Sequence, residues 1–135
     1  NGTLKSGIET VLDLLDFDRR LEGVDVVVTG EGATDWQSVF GKVMQGVGIH
    51  CKAHGIPAVA IVGSMGKGAE DIFEYGIESM ITTINGVMTL PEALDHAEEL
   101  YLGAARRLFR MLRAGSRLSV AVNGVNSNDS HKRAE

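Results

Sequence analysis

Three apolar runs, punctuated by glycine, constrain this chain more than any other feature. They are Val24-Asp25-Val26-Val27-Val28-Thr29, Pro57-Ala58-Val59-Ala60-Ile61-Val62 and Ser79-Met80-Ile81-Thr82-Thr83-Ile84. Near-continuous apolar strands are buried on both faces, which is the habit of parallel sheets covered by helices. Between the runs, apolar residues recur at helical spacing. Ile8, Val11, Leu12 and Leu15 predict a helix over 6–16, opened by a capping box at Ser6-Gly7-Ile8-Glu9. Val39, Phe40, Val43, Met44, Val47 and Cys51 predict another over 39–54, with Gly46 and Gly48 permitting close packing and Gly55 as its terminating glycine. A short helix is expected over 69–75, stopped by Gly76. A second capping box, Thr89-Leu90-Pro91-Glu92, opens a long helix to about Arg113. Alternating helices and strands with right-handed crossovers give an α/β fold: a small, Rossmann-like parallel sheet of about three strands covered by helices.

Charge and length remove several classes of partner. The chain has 135 residues, the size of one ordinary domain, and a net charge of −5. An acidic balance argues against nucleic acid. No apolar run approaches the roughly 18 to 20 residues that span a bilayer, so no membrane is expected. The one cysteine, Cys51, forbids an internal disulfide and suits a reducing cytoplasm. Arg106, Arg107, Arg110 and Arg113 crowd the end of the long helix, where cations complement its dipole. From Ser116 the pattern dissolves. Val120–Val125 is a weak strand candidate and Asn126–Glu135 reads as disordered. The expected organisation is therefore residues 1–115 as one α/β portion and 116–135 as a divergent tail. Three strands are few for a parallel sheet, and there is no initiator Met, so the chain is expected to be a piece of something longer. Its open sheet edges leave room for a homo-oligomer.

In such folds ligands sit beyond the C-terminal ends of the strands. Three segments meet that condition, Gly30–Ser38, Gly63–Gly68 and Asn85–Met88. The first gathers Glu31, Asp35, Gln37 and Ser38 around Gly30 and Gly32, whose bare backbone permits close approach. It is not the dinucleotide fingerprint, because Asp35 replaces the third glycine and Glu31 would repel a pyrophosphate. Two readings compete for Asp35: N-cap of the next helix, or metal ligand and general base. Lys42, near a helix start, opposes the dipole unless an anion binds there. Gly63-Ser64-Met65-Gly66-Lys67-Gly68 reads either as an anion nest offering Ser64 and Lys67 or as a plain turn. It is not a Walker A loop, since Lys67 is followed by Gly68. His50 and His54 share a helix face at a spacing zinc ligands use, but no further ligand pair accompanies them, so they read as structural.

The spaced pattern Thr29-Gly30-Glu31-Gly32, Asp35, Gln37-Ser38, Gly41-Lys42 and Gly46-Val47 resembles the signature of bacterial class I glycerate kinases. The opening Leu4-Lys5-Ser6-Gly7-Ile8-Glu9, the Gly55–Gly63 segment and the Met88–Leu112 stretch resemble its flanks, so the resemblance covers residues 4 to 115. It implies transfer of phosphate from ATP, with Mg²⁺, to D-glycerate in a cytoplasmic enzyme of two α/β domains. The present chain would correspond to roughly its last third. Part of the site would then lie in an N-terminal portion absent from this sequence. The resemblance gives catalytic roles to Asp35, Glu31 and Lys42. Asp35 would be general base or Mg²⁺ ligand, and Glu31 the alternative for the metal. Lys42 would neutralise a phosphate or the glycerate carboxylate. Gln37, Ser38, Gly30, Gly32, Ser64 and Lys67 would contact substrate. Two positions depart from the family: Ala33 stands where many members have Arg, and Met44 where many have Pro. The alternative is a non-catalytic Rossmann-like module that binds an anion or a partner subunit.

Overall fold

The computed structural model describes residues 4–34 and 42–129. In chain order the elements are α1 (Gly7–Leu14), α2 (Phe17–Arg20), β1 (Val27–Thr34), α3 (Val43–Ala53), β2 (Ala58–Met65), a 3₁₀ helix (Ala69–Tyr75), β3 (Ile77–Thr82), α4 (Leu90–Asp95) and α5 (Ala97–Asp129). The strands form one sheet in the order β1-β2-β3, and both pairings are parallel. The expected α/β fold of three parallel strands under helices is therefore present.

The sheet is covered on both faces, and β2 shows how. Ala58, Ala60 and Val62 pack with Met44, Val47 and Cys51 of α3, Leu12 of α1 and Ile72 of the 3₁₀ helix. The alternate residues Val59 and Ile61 pack with Ala104 and Leu108 of α5. Side chains of a strand point alternately to opposite faces, so an unbroken apolar run supplies both cores at once.

Several boundaries differ from expectation. The helix expected over 6–16 is α1, which stops at Leu14; Asp16 adopts a left-handed conformation (φ 51°), and the single turn of α2 follows within the charged connector to Gly23. Ser6 does cap α1, its Oγ accepting from the Glu9 N–H at 3.4 Å. Glu9 does not complete the box; its carboxylate meets His50 Nε2 at 3.1 Å. β1 begins at Val27 and runs on through Thr34, so Gly30–Thr34, expected as loop, is strand. Likewise Gly63, Ser64 and Met65 extend β2. The two glycine-bearing stretches pair with each other, Ala33 with Ser64 and Thr34 with Met65, which satisfies backbone groups a loop would leave to water. β3 is Ile77–Thr82, two residues earlier than expected. The capping box at Thr89 forms in full, but the helix it opens breaks at His96 before α5. α5 then continues through Asp129, so Val120–Val125 is helix, not strand, as are residues 126–129 of the tail expected to be disordered. With no proline after Arg113, a formed helix adds one hydrogen bond per residue and keeps propagating. Residues 130–135 lie outside the described residues.

The end of α3 follows the sequence closely. Gly55 has φ +68°. Its N–H bonds the Lys52 carbonyl at 3.2 Å and the Ile56 N–H bonds the Cys51 carbonyl at 2.9 Å, the paired bonds of a Schellman stop. Close packing of α3 depends on its glycines. A Cβ on Gly46 would lie 2.6 Å from the Ile8 side chain, and one on Gly48 would collide with the Tyr75 carbonyl oxygen. Gly103, in α5, has only Arg107 Nη1 nearby, at 3.9 Å. Gly48→Ala is therefore expected to destabilise by about 2 kcal/mol, the middle of the range for overpacking. Gly103→Ala is expected to stabilise by roughly 0.5 to 1 kcal/mol through helix propensity. Urea midpoints of the two variants, compared with wild type, check both signs.

Candidate active site

The C-terminal ends of β1 and β2 meet the α4–α5 corner around a cavity of about 830 Å³. Its floor is Gly30, Glu31, Gly32 and Ala33 of β1 with Ile61, Gly63 and Ser64 of β2. Thr83 and Ile84 follow β3 along one side, and Leu90, Ala93, Leu94, Ala97, Glu98 and Tyr101 form the opposite wall. The lining is mostly apolar. Three bonds fix the β3 side: Thr83 N–H to the Val62 carbonyl at 2.9 Å, Arg107 Nη2 to the Thr82 carbonyl at 2.7 Å, and Thr82 Oγ1 to the Ile84 carbonyl at 3.4 Å.

The strands can approach at this end because Gly30 and Gly63 carry no side chains at the two points of contact. A Cβ on Gly30 would sit 2.6 Å from the Ile61 carbonyl oxygen, and one on Gly63 would overlap the Gly32 carbonyl. Gly32 itself has open space where a Cβ would be. Glu31, held between these glycines, is only partly exposed. Its Oε2 is buried and has no hydrogen-bond partner among the described residues. A buried carboxylate oxygen left unpaired costs desolvation energy that a ligand, a cation, an ordered water or further protein returns.

The structure therefore brings Gly30, Glu31, Gly32 and Ser64 to one cavity. Lys67 lies in the turn after β2, exposed and outside that lining. Lys42 is exposed at the N-cap of α3 and makes no side-chain cap bond there. Since Lys42 occupies the N-cap of α3, the capping reading of Asp35 does not hold for that helix. Asp35, Gln37 and Ser38 lie outside the described residues. Among the described residues no group of three or more His, Cys, Asp or Glu is arranged to hold a metal ion. His50 and His54 both face the Asp18 carboxylate, at 2.7 and 3.1 Å.

Sequence reading missed the apolar wall from α4 and α5. It expected Asn85–Met88 to supply the third side, but Thr83 and Ile84 do so. The signal available was Thr89, whose capping box starts α4 beside the strand ends, with Leu90 and Leu94 off the face that packs on the sheet. They are 71% and 66% exposed.

A three-layer α/β unit with a glycine-lined cleft at the strand ends is a Rossmann-like fold, whose ligands sit beyond the strand ends. Comparison with known proteins specifies it further. The sequence model of the glycerate kinase family matches residues 1–113, and the chain belongs to that family. It is 39% identical over 102 residues to the glycerate kinase of Halalkalibacterium halodurans, covering 76% of this chain and 27% of that protein. It is 33% identical over 114 residues to the glycerate 2-kinase of Escherichia coli K12, covering 84% of this chain and 30% of that one. A crystal structure from Salmonella typhimurium LT2, described as that of a candidate glycerate kinase 2, superposes with a TM-score of 0.63 at 34% identity over 85% of this chain and 29% of that chain. The chain thus spans little more than a quarter of the length of the curated relatives it matches.

The close approach of β1 and β2 is open to direct test. Gly63→Ala should force the strand ends apart and lower stability by roughly 1 to 3 kcal/mol. Gly32→Ala should stay within about 1 kcal/mol of wild type, because its Cβ meets nothing. Chemical denaturation reads the difference. Equal losses in both variants would mean that the glycines do not set the spacing.

Proposed function

We propose that this chain is the C-terminal portion, residues 1–115 with a divergent tail, of a cytoplasmic two-domain kinase that phosphorylates D-glycerate with ATP and Mg²⁺. The observation that carries the reading is Glu31: a buried carboxylate oxygen in the second half of β1 with no hydrogen-bond partner among the described residues, inside the segment of the chain that the family shares.

Phosphoryl transfer asks the protein mainly for positioning and electrostatic stabilisation. Asp35 serves as general base, taking the proton of the glycerate hydroxyl as its oxygen attacks the γ-phosphorus and ADP leaves. Mg²⁺ is a hard cation that takes carboxylate oxygens, and Glu31 is the described residue whose unsatisfied oxygen fits it. Bound there, it would neutralise phosphate charge. Gln37, Ser38 and Ser64 position the substrate against the bare backbone of Gly30 and Gly32. Lys42, an exposed cation at the N-terminus of α3, meets a phosphate or the glycerate carboxylate. Lys67 approaches from the neighbouring turn.

The remaining part of the enzyme completes the site. Leu94 and Tyr101 on the cavity wall are exposed, as are Leu14 of α1 and Val87, and a monomer seldom leaves so much apolar surface open. β1 and β3 both end the sheet with unpaired edges, which accept further strands or a second copy.

The deciding experiment is a coupled ADP-release assay with D-glycerate on the complete enzyme. Asp35→Asn and Glu31→Gln should each keep a near-wild-type melting temperature. At least one should lose a hundredfold or more in kcat, since removing a general base costs about 10² to 10⁴ in rate. The 135-residue chain alone should show no turnover. Wild-type rates in both variants would remove the loop from catalysis. No ADP release from the complete protein would leave the non-catalytic anion-binding reading in its place.

A further inference from the structure

On the face of α3 that packs against α1 and α2, four titratable side chains from three helices converge. His50 Nδ1 lies 2.7 Å from Asp18 Oδ1, and His50 Nε2 lies 3.1 Å from Glu9 Oε2. One turn on, His54 Nε2 lies 3.1 Å from the same Asp18 oxygen. The Phe17 ring meets the His50 ring edge-on, with centroids 6.0 Å apart. The His50 side chain is 17% exposed, against 37% for Glu9 and 55% for Asp18.

Both His50 nitrogens face carboxylate oxygens. A neutral imidazole carries one N–H, so it satisfies one carboxylate and turns a lone pair on the other. Only the imidazolium donates to both. We propose that Glu9, Asp18, His50 and His54 form a pH-operated clasp that fastens α1 and α2 onto α3 and loosens when His50 gives its second proton to water. Every charged group that acts on the ring takes part: Glu9 from α1 and Asp18 from α2, with His54 sharing Asp18 from the next turn of α3. The other neighbours on α3 are engaged elsewhere, Lys52 with the Glu74 carbonyl and Cys51 in the core. The clasp is separate from the strand-end cavity and does not depend on the reaction assigned to it.

The direction of the titration agrees. The bond to Asp18 raises the His50 pKa above its ordinary 6.5; partial burial works against this, and Glu9 adds to the rise. The bond from His50 lowers Asp18 below its ordinary 3.8. A raised histidine contributes stability that is complete below 6.5 and lost as pH climbs through the folded value. A lowered carboxylate contributes stability that is present above 3.8 and lost as pH falls through its folded value. The clasp is therefore tightest between those two ordinary values and opens on the alkaline side.

The test is an NMR titration of the His50 ring in the complete protein, with amide protection of α1 measured over the same pH range. The expected midpoint lies above that of a histidine peptide. α1 protection should fall with the ring's deprotonation, about tenfold for each unit by which the midpoint is raised. In Asp18→Asn the midpoint should drop towards the peptide value. In His50→Gln the protection of α1 should become flat across this range. A wild-type midpoint at or below the peptide value overturns the clasp. So does an unmoved midpoint in Asp18→Asn, a comparison that stands even if His50→Gln does not fold.

Discussion

The backbone contact between the ends of β1 and β2 is the constraint on which the rest of this structure depends. Gly30 lies against the Ile61 carbonyl and Gly63 against the Gly32 carbonyl, with no room for a side chain at either point. Because the strands stay paired as far as Thr34 and Met65, they carry Glu31 and Ser64 past the helical layers to the open end of the sheet. A looser pairing would release these residues into separate turns and dissolve the cavity floor. The site is thus built by what the glycines lack.

Everything behind that end serves to keep the sheet rigid. α3 lies close on one face because Gly46 and Gly48 admit Ile8 and the Tyr75 carbonyl. α5 lies on the other through Ala104 and Leu108, which are almost fully buried. The long helix does more than cover the sheet. Its first turns supply Ala97, Glu98 and Tyr101 to the cavity, and Arg107 reaches the Thr82 carbonyl at the end of β3. Packing and site therefore share the same helix, and a change in one is felt in the other.

Family membership and the partial coverage of the relatives bear on the chemistry together. The match over residues 1–113 places the glycine-rich strand end within the shared part of the glycerate kinases. The short coverage of the relatives agrees with what the exposed apolar wall shows: Leu90, Leu94 and Tyr101 face outward where a soluble surface would be polar. The Glu31 carboxylate oxygen, buried without a partner among the described residues, is the polar counterpart of that apolar wall.

The α/β class, the three parallel strands, the terminating glycine at Gly55 and the capping box at Thr89 were all legible in the amino-acid order. These follow from local chemistry: apolar periodicity, β-branching, and side chains that bond to their own backbone a few residues away. The spaced glycine and carboxylate pattern also marked Glu31, Gly30 and Gly32 as candidates, and the folded chain lines the strand-end cavity with them. Choices that depend on a distant partner were open until the chain had folded. Gly30–Thr34 and Gly63–Met65 read as loops because glycine is a poor strand former, but each became strand by pairing with the other across a separation of more than thirty residues. Glu9 reads as the second half of a capping box, yet its carboxylate went to His50 Nε2, which the fold brings within 3.1 Å of it from across the helix interface. Such competitions are settled by which groups the fold brings within hydrogen-bond reach, and local sequence carries no record of that distance.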